Sequence, residues 1–557
     1  MVTSRHSTRD LHDVRRNRLL RAVDWRFLLP NPEPRLTFCP AQGDLAEALG
    51  LVSKEGVISA PIPSLSCDLA HLVDPDRCQL QAARSTLEPG GMLCAVWRRP
   101  VLGGVRTIVR RLEDVGFTDV QTYWAWPALP WKAPLVWLPV DASALRVFLR
   151  LRPRVHGRVP RARQIAERLA ALVACRLGVV SPVYAIAARR GTDGARRGSS
   201  WPSRSALGAA RDVVTPLAGP DDQGCSVALL TGGRRSISKV VAMSLPSDGS
   251  APAVVTKMPR VPAAAVALER ESTMLRWLEP RLAGRLQVPR VLAFSGQGAT
   301  TRLVEGALFG SPLSEHVRAT TIREFASRAA DWLADLADLT RQPPATRSDW
   351  WCEMIAPIQD RFLREYGQIL DAAATAQIER TLATLDSLPI ICEQRDFSPW
   401  NVLLGADGQL VVLDWESAVT RGLPGLDLVY FLAYLCFYLD GSLARGDVVA
   451  SYRALLDPRT FTGSIVNTAL LQYGRRIGLD PDALPALRLL TWMVHARSEH
   501  DHLVADYGSC PPPDALRRGT FYRLVLEELR HQQRAKPGDS SLEHPAAAQR
   551  ARGHLCS

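Results

Sequence analysis

Two short apolar runs, Val402-Leu403-Leu404 and Leu410-Val411-Val412-Leu413, are joined by Gly405-Ala406-Asp407-Gly408. Asp-Gly between such runs is a strong hairpin signal, and a hairpin brings its two ends together. Asn401 enters the first predicted strand and Asp414 leaves the second, so both side chains are predicted at the same open end, with Asp396 on the loop just before. Carboxylate, carboxamide and carboxylate are the groups that phosphoryl transfer calls for. One carboxylate takes the proton of an attacking hydroxyl, and the other two groups hold Mg²⁺ on nucleotide phosphates. An ordinary Asx-rich turn beside a hairpin explains Asp407-Gly408 but not three polar groups at these intervals.

The run Gln394-Arg395-Asp396-Phe397-Ser398-Pro399-Trp400-Asn401, with Asp414 in Val411-Val412-Leu413-Asp414-Trp415-Glu416, resembles the catalytic loop and metal-binding segment of the aminoglycoside phosphotransferase and choline kinase family, relatives of protein kinases. The family's loop reads His-Gly-Asp-x-x-x-x-Asn. Here Gln394 and Arg395 stand where His and Gly are expected, while both intervals match. The resemblance implies an α+β, two-lobed, protein-kinase-like fold and ATP-dependent transfer of the γ-phosphate to a hydroxyl of a small molecule of aminoglycoside, sugar or amino-alcohol type. It makes Asp396 the catalytic residue and Asn401 and Asp414 the Mg²⁺ ligands, with Glu416 either assisting a second metal or facing solvent. Gln394 can still hydrogen-bond in support of the loop. The resemblance names neither the acceptor nor ATP over GTP.

Upstream residues supply the remaining parts of such a site. Ser226 to Thr231 is strand-like, Gly232-Gly233-Arg234-Arg235-Ser236-Ile237-Ser238 is a turn-rich loop, and Lys239 to Leu245 returns as a second strand. Ala253-Val254-Val255-Thr256-Lys257 is a third strand, and Leu268 to Leu278 has apolar positions at helical spacing. Each signal alone is that of a common hairpin, a solvated strand Lys or a surface helix Glu; their order before Asp396 is what counts. By resemblance Gly232, Gly233 and Ser238 belong to the phosphate-covering loop, Lys257 contacts the phosphates, and Glu271 holds Lys257, with Glu269 the second choice. Leu303 to Leu308 is then the strand and hinge beside the adenine ring.

Beyond Thr320 the chain is predicted helical at Thr321 to Leu339, Trp350 to Leu370 and Ala374 to Leu388. Asp427 precedes the apolar run Val429 to Leu439, which is too short and interrupted to span a bilayer. The family implies that Asp427 braces the catalytic loop; an ordinary helix N-cap is the other account. His495, Glu499 and His502 share one face of the predicted helix Ala486 to Tyr507. Surface clustering, acceptor contact by Glu499 and a metal site are the readings open to them, in that order.

The first 200 residues differ in character. They carry 30 Lys+Arg against 17 Asp+Glu, a net of +13, while the remainder carries 38 against 39. Leu87-Glu88-Pro89-Gly90-Gly91 opens into an apolar strand, followed by a helix at Val105 to Gly116, a strand at Thr118 to Tyr123 and a closing strand at Val180 to Ala188. This alternation predicts a parallel α/β sheet of Rossmann type, and it resembles the C-terminal half of class I S-adenosylmethionine-dependent methyltransferases. The cofactor half departs from that family: Arg35 to Asp44 has a single Gly and a Pro where a Gly-rich turn is needed, and Gly56 to Ala60 ends without a carboxylate. The expected domain is methyltransferase-like and degenerate, without S-adenosylmethionine. Trp124, Trp126, Trp131 and Trp137 are expected to cover a sheet. The Arg-rich stretch Arg146 to Arg168 is a solvated face or a contact for an anionic partner, with no nucleic-acid motif to match the charge.

The expected organisation is a methyltransferase-like domain over 1–190, a polar linker over 191–212, a kinase-like N-lobe over 213–310, a helical C-lobe over 311–531 and a disordered tail over 532–557. Met1 to Arg21 lacks an apolar core, no uncharged stretch is long enough to span a membrane, and the eleven cysteines are odd in number and lack Cys-x-x-Cys pairs. A cytoplasmic enzyme with free thiols, a nucleotide and a small hydroxyl acceptor as partners, and no transmembrane segment follows. Two readings of other classes stand beside it: a catalytically silent kinase-like scaffold, for which Gln394 is the argument, and methylation by the N-terminal domain.

Overall fold

A computed structural model describes residues 8–62, 65–126, 134–141, 145–147, 182–189, 226–232, 239–246, 253–343, 346–386, 388–507 and 510–535. The chain divides into two compact units: Leu11–Ser272 with Pro289–Ala307, and Thr273–Val288 with Leu308–Ser557 and Met1–Asp10.

In the first unit twelve strands form one sheet. They are β1 (Thr37–Phe38), β2 (Val57–Ile58), β3 (Cys67–Val73), β4 (Leu87–Trp97), β5 (Phe117–Trp126), β6 (Val136–Pro139), β7 (Val183–Arg189), β8 (Ser226–Leu230), β9 (Lys239–Leu245), β10 (Val254–Pro259), β11 (Val291–Ser295) and β12 (Arg302–Gly306). Their order is β11-β12-β10-β9-β8-β6-β5-β7-β4-β3-β1-β2. Strands β2, β1, β3 and β4 are parallel. The rest of the sheet is antiparallel, including the β6–β8 pair that matches Val136 to Leu230 and Trp137 to Leu229.

The expected parallel sheet is therefore mixed. The crossover from β4 through the helix Gly104–Val115 leaves a space one strand wide, which β7 fills in the opposite direction, pairing with β4 and β5. Periodicity reports that a segment is a strand but not where in the sheet it inserts. Side chains alternate along β4, and both faces are buried. Leu93, Ala95 and Trp97 pack on one face with Leu80 of the helix Arg77–Thr86 and with Ile108 and Leu112 of the helix Gly104–Val115. Met92, Cys94 and Val96 pack on the other face in a cluster that includes Trp25 and Phe27. Trp124 and Trp137 lie within strands rather than in a covering insertion, and both are buried. Trp131, residues 191–212 and all of Arg146 to Arg168 except Arg146 and Val147 lie outside the described residues.

The second unit is helical around two small sheets. Strands β13 (Ser311–Pro312), β15 (Val402–Leu404) and β16 (Leu410–Val412) form one, and β14 (Ile391–Glu393) with β17 (Val419–Gly422) the other. The helix Leu426–Asp440 is apolar nearly all round and buried through most of its length, as suits a helix enclosed by others. The helices Ile322–Thr340, Phe461–Ile477, Leu484–Tyr507 and Thr520–Ala535 complete the unit.

Among the described residues no helix is long and apolar enough to cross a membrane. Seven described cysteines are free.

Candidate active site

The predicted hairpin forms as a β15–β16 ladder pairing Val402 with Val412, Leu403 with Val411 and Leu404 with Leu410. Gly408 adopts a φ of 80°, a conformation open to glycine at no steric cost. The ladder continues past the last strand pair, where the Leu413 N–H donates to the Asn401 carbonyl at 2.9 Å. Asn401 and Asp414 thus leave the hairpin at the same end. The Asn401 amide nitrogen donates to Asp396 Oδ2 at 2.8 Å and to the Asp396 carbonyl at 3.1 Å. Both contacts use Nδ2, so Oδ1 is the atom of Asn401 left with lone pairs for a cation. An amide oxygen and a carboxylate are donors of the kind Mg²⁺ takes.

Gln394, buried in the place of the family's His, ties these pieces together. Its Nε2 donates to the carbonyls of Leu413 at 3.1 Å and Asp414 at 2.6 Å, while its Oε1 accepts from the Asp396 N–H at 2.8 Å. Asp427 accepts from the N–H groups of Gln394 and Arg395 at 2.7 and 2.8 Å. Burial, reinforced by the nearby Glu393, holds its carboxyl well above the usual carboxylate range. Arg395 has a φ of 66° and Asp414 a φ of 58°. The left-handed region is disfavoured for residues bearing a Cβ, so the surrounding bonds must hold both turns in place. Phe397 anchors the loop by stacking on Trp332 at 5.4 Å and meeting Phe431 at 5.1 Å.

Aromatic residues that sequence reasoning passed over gather beside Asp396. Trp400 meets Tyr434 edge-on at 5.0 Å, and Tyr430 stacks on His495 at 3.8 Å. Burial raises the Tyr434 hydroxyl to about 12, with the charge of Asp396 adding to the effect. Tyr430 and Tyr434 are four residues apart on one helix, a spacing that places them on one face. Burial pushes His495 down to about 3, so it packs as a neutral ring. Glu499, for which an acceptor contact stood second to surface clustering, caps a helix: it accepts from the N–H groups of Thr520 and Phe521 at 2.8 and 3.1 Å. The described group with metal-ligand spacing is Glu365, His500 and Asp501, and Arg361 already pairs with Glu365 and Asp501 at 2.6 Å each.

In the other unit, Lys257 lies on β10 opposite Val241 and Leu303. Its Nζ is 2.7 Å from Glu271 Oε1, while Glu269 is exposed. Two further residues join the pair. Glu305 Oε2 lies 3.0 Å from Lys257, and Lys239 lies 3.2 Å from Glu271 Oε2. Glu305 faces Val255 across the β10–β12 ladder, two residues from Lys257 and so on the same face. Burial pushes the Glu305 carboxyl up to about 7 against the opposing pull of Lys257. Gly232 is exposed with open space around it; Gly233 and Ser238 lie outside the described residues.

Residues 242–459 match the model of the phosphotransferase enzyme family, abbreviated APH. No curated protein matches the chain. Among solved structures, the chain is similar to the aminoglycoside phosphotransferase APH(3'')-Id from Streptomyces rimosus in complex with ADP and streptomycin, at 20% identity over 52% of this chain and 98% of that one, with a TM-score of 0.31. It is also similar to the macrolide 2'-phosphotransferase MphH from Brachybacterium faecium, at 18% identity over 55% of this chain and 98% of that one, with a TM-score of 0.34. A GDP and kanamycin complex of APH(2'')-IIIa shows 13% identity over 59% and 99%, with a TM-score of 0.34. The family match, and not these distant overlaps, supports the conclusion that residues 242–459 carry a domain of the phosphotransferase enzyme family.

Proposed function

We propose that the chain is an ATP- and Mg²⁺-dependent phosphotransferase acting on a hydroxyl of a small molecule of aminoglycoside, sugar or amino-alcohol type. The observation that carries this reading is the convergence of Asp396, Asn401 and Asp414 at the mouth of one hairpin, with Asn401 bonded to Asp396 and Gln394 joining Asp396 to Asp414. Asp396 orients the acceptor hydroxyl and takes its proton as the phosphoryl group is transferred. Asn401 and Asp414 hold the metal, which neutralises charge on the transferring phosphates. Lys257 contacts the nucleotide phosphates, Glu271 positions it, and Gly232, Gly233 and Ser238 cover them. Gln394 takes over the loop contacts expected of His, which weighs against a silent scaffold. A screen of hydroxyl-bearing metabolites for ADP release tests the proposal. Acceptor-dependent release that is lost in Asp396→Asn supports it; equal release by that variant overturns it.

We further propose that the N-terminal part is methyltransferase-like in descent, joined to the kinase-like part through 191–212, with the degenerate cofactor half noted from its sequence. The strand order β2-β1-β3-β4-β7-β5 with β7 antiparallel supports this. Calorimetry of the full chain with S-adenosylmethionine tests the degeneracy: heat of binding would overturn it.

A further inference from the structure

Thr231, which precedes Gly232, and Arg260, which follows the strand that bears Lys257, are both held by residues from the first 140 of the chain. Thr231, immediately before Gly232, donates its N–H to the Leu135 carbonyl at 2.8 Å and its hydroxyl to the Pro134 carbonyl at 3.1 Å. Its own carbonyl accepts from Arg260 Nη2 at 3.2 Å. Arg260 follows β10 directly and lies three residues beyond Lys257. Its guanidinium is held by Asp24: Nε is 3.1 Å from both carboxylate oxygens, and Nη2 is 3.0 Å from Oδ2. Arg26 in turn donates to the Arg260 carbonyl at 2.6 Å.

These charges are out of water; the side chains of Asp24 and Arg260 are both 0% exposed. Removing charges from water is costly and is tolerated only where geometry and hydrogen bonds are well satisfied, so such a cluster has few alternative arrangements. Trp25 and Phe27, on either side of Arg26, are buried in one cluster with Val227, Leu229, Val240 and Met258. The short helical segment Asp24–Leu28 therefore packs against strands β8–β10. A separately folded neighbour has no need to bury a carboxylate against an arginine 236 residues away.

We propose that Asp24 is a positioning residue for nucleotide binding: through Arg260 it fixes the start of the Gly232 loop and the end of the Lys257 strand. The first 140 residues thus complete the phosphate-binding half of the site. This rests on the reading of Lys257 and the Gly232 loop as phosphate contacts. The loss of such a coupling is read as a change of affinity, and couplings between separated groups commonly run about 5- to 150-fold.

The test uses full-length Asp24→Asn and Arg26→Met, each read by amide hydrogen exchange over residues 226–231 and 254–260 and by calorimetric titration with MgATP. Arg26→Met removes the bond to the Arg260 carbonyl and the 3.5 Å contact of Arg26 with Asp24 while keeping the Asp24–Arg260 pair, and so serves if Asp24→Asn does not fold. The expected result is faster exchange in both segments and a MgATP Kd raised at least about fivefold, with the KM for the acceptor unchanged. A folded variant with parental exchange and parental Kd overturns the proposal. Faster exchange with an unchanged Kd also overturns it, because it reduces Asp24 to a stabilising role. A parent chain that binds no MgATP overturns the phosphate-site reading itself, a result distinct from either of these.

Discussion

The Gln394 side chain donates to the Asp414 carbonyl at 2.6 Å while accepting from the Asp396 N–H at 2.8 Å. One carboxamide thus links the backbone of the proposed base to that of a proposed metal ligand. Asp414 sits at a φ of 58°, a conformation it keeps only while such bonds hold it.

Gln394→Ala is expected to lower kcat by about a hundredfold, because small misplacements of reacting groups cost that much. It should also lower stability by about 1–3 kcal/mol through the buried groups left without partners. Gln394→His should retain more of both. Denaturant unfolding and ADP release in parallel check this; parental kcat in Gln394→Ala would show that the link is dispensable.

Asp414→Ala should abolish the Mg²⁺-dependent part of nucleotide binding. The expected thermal shift with MgATP is present in the parent, lost in Asp414→Ala and lost in the parent when the metal is chelated. A shift that survives in Asp414→Ala would remove this residue from the metal site.

Lys257→Ala leaves Glu271 and Glu305 buried without their shared cation. Breaking a buried ion pair on one side costs about 3–5 kcal/mol. Lys257→Ala/Glu305→Gln should recover part of that stability, since one buried carboxylate fewer remains, without recovering nucleotide affinity. Equal stability of the single and double variants would show that Glu305 does not oppose Lys257.

The pH dependence of stability follows from Glu305. Its folded-state carboxyl titrates near pH 7, above an unfolded value of about 4.3. The folded chain therefore holds the proton more tightly, and the stability this contributes is complete below pH about 4.3 and is lost as pH rises toward 7. Glu305→Gln lacks this loss. The melting temperature of the variant relative to the parent should move in the variant's favour between pH 5 and pH 8, and a constant difference would count against the titration.

How much was legible in sequence varies by residue. The hairpin formed where Asp407-Gly408 placed it, because turn chemistry and strand alternation are local. Glu271 and Glu269 could not be told apart by pattern, since both fit the helix and only burial distinguishes them. Glu305 was hidden because a single Glu in a strand looks like a surface residue. The signal that could have found it is alternation from Lys257 combined with the β10–β12 register, and register is a property of two distant segments. Tyr430 and Tyr434 were visible as part of an apolar run, but their closeness to Asp396 depends on Asp427 drawing the helix to the loop. Nothing local links Asp24 to Arg260. The seam suggested by the charge count falls between strands that the β6–β8 pairing joins in one sheet.

That pairing bears on how the protein can be handled. A chain cut at residue 213 would bare one side of β8, presenting unpaired N–H and C=O groups beside Val227 and Leu229, an invitation to edge-to-edge association. Trimming to residues 213–557 should therefore yield precipitate or intermolecular β-pairing in place of a smaller working enzyme.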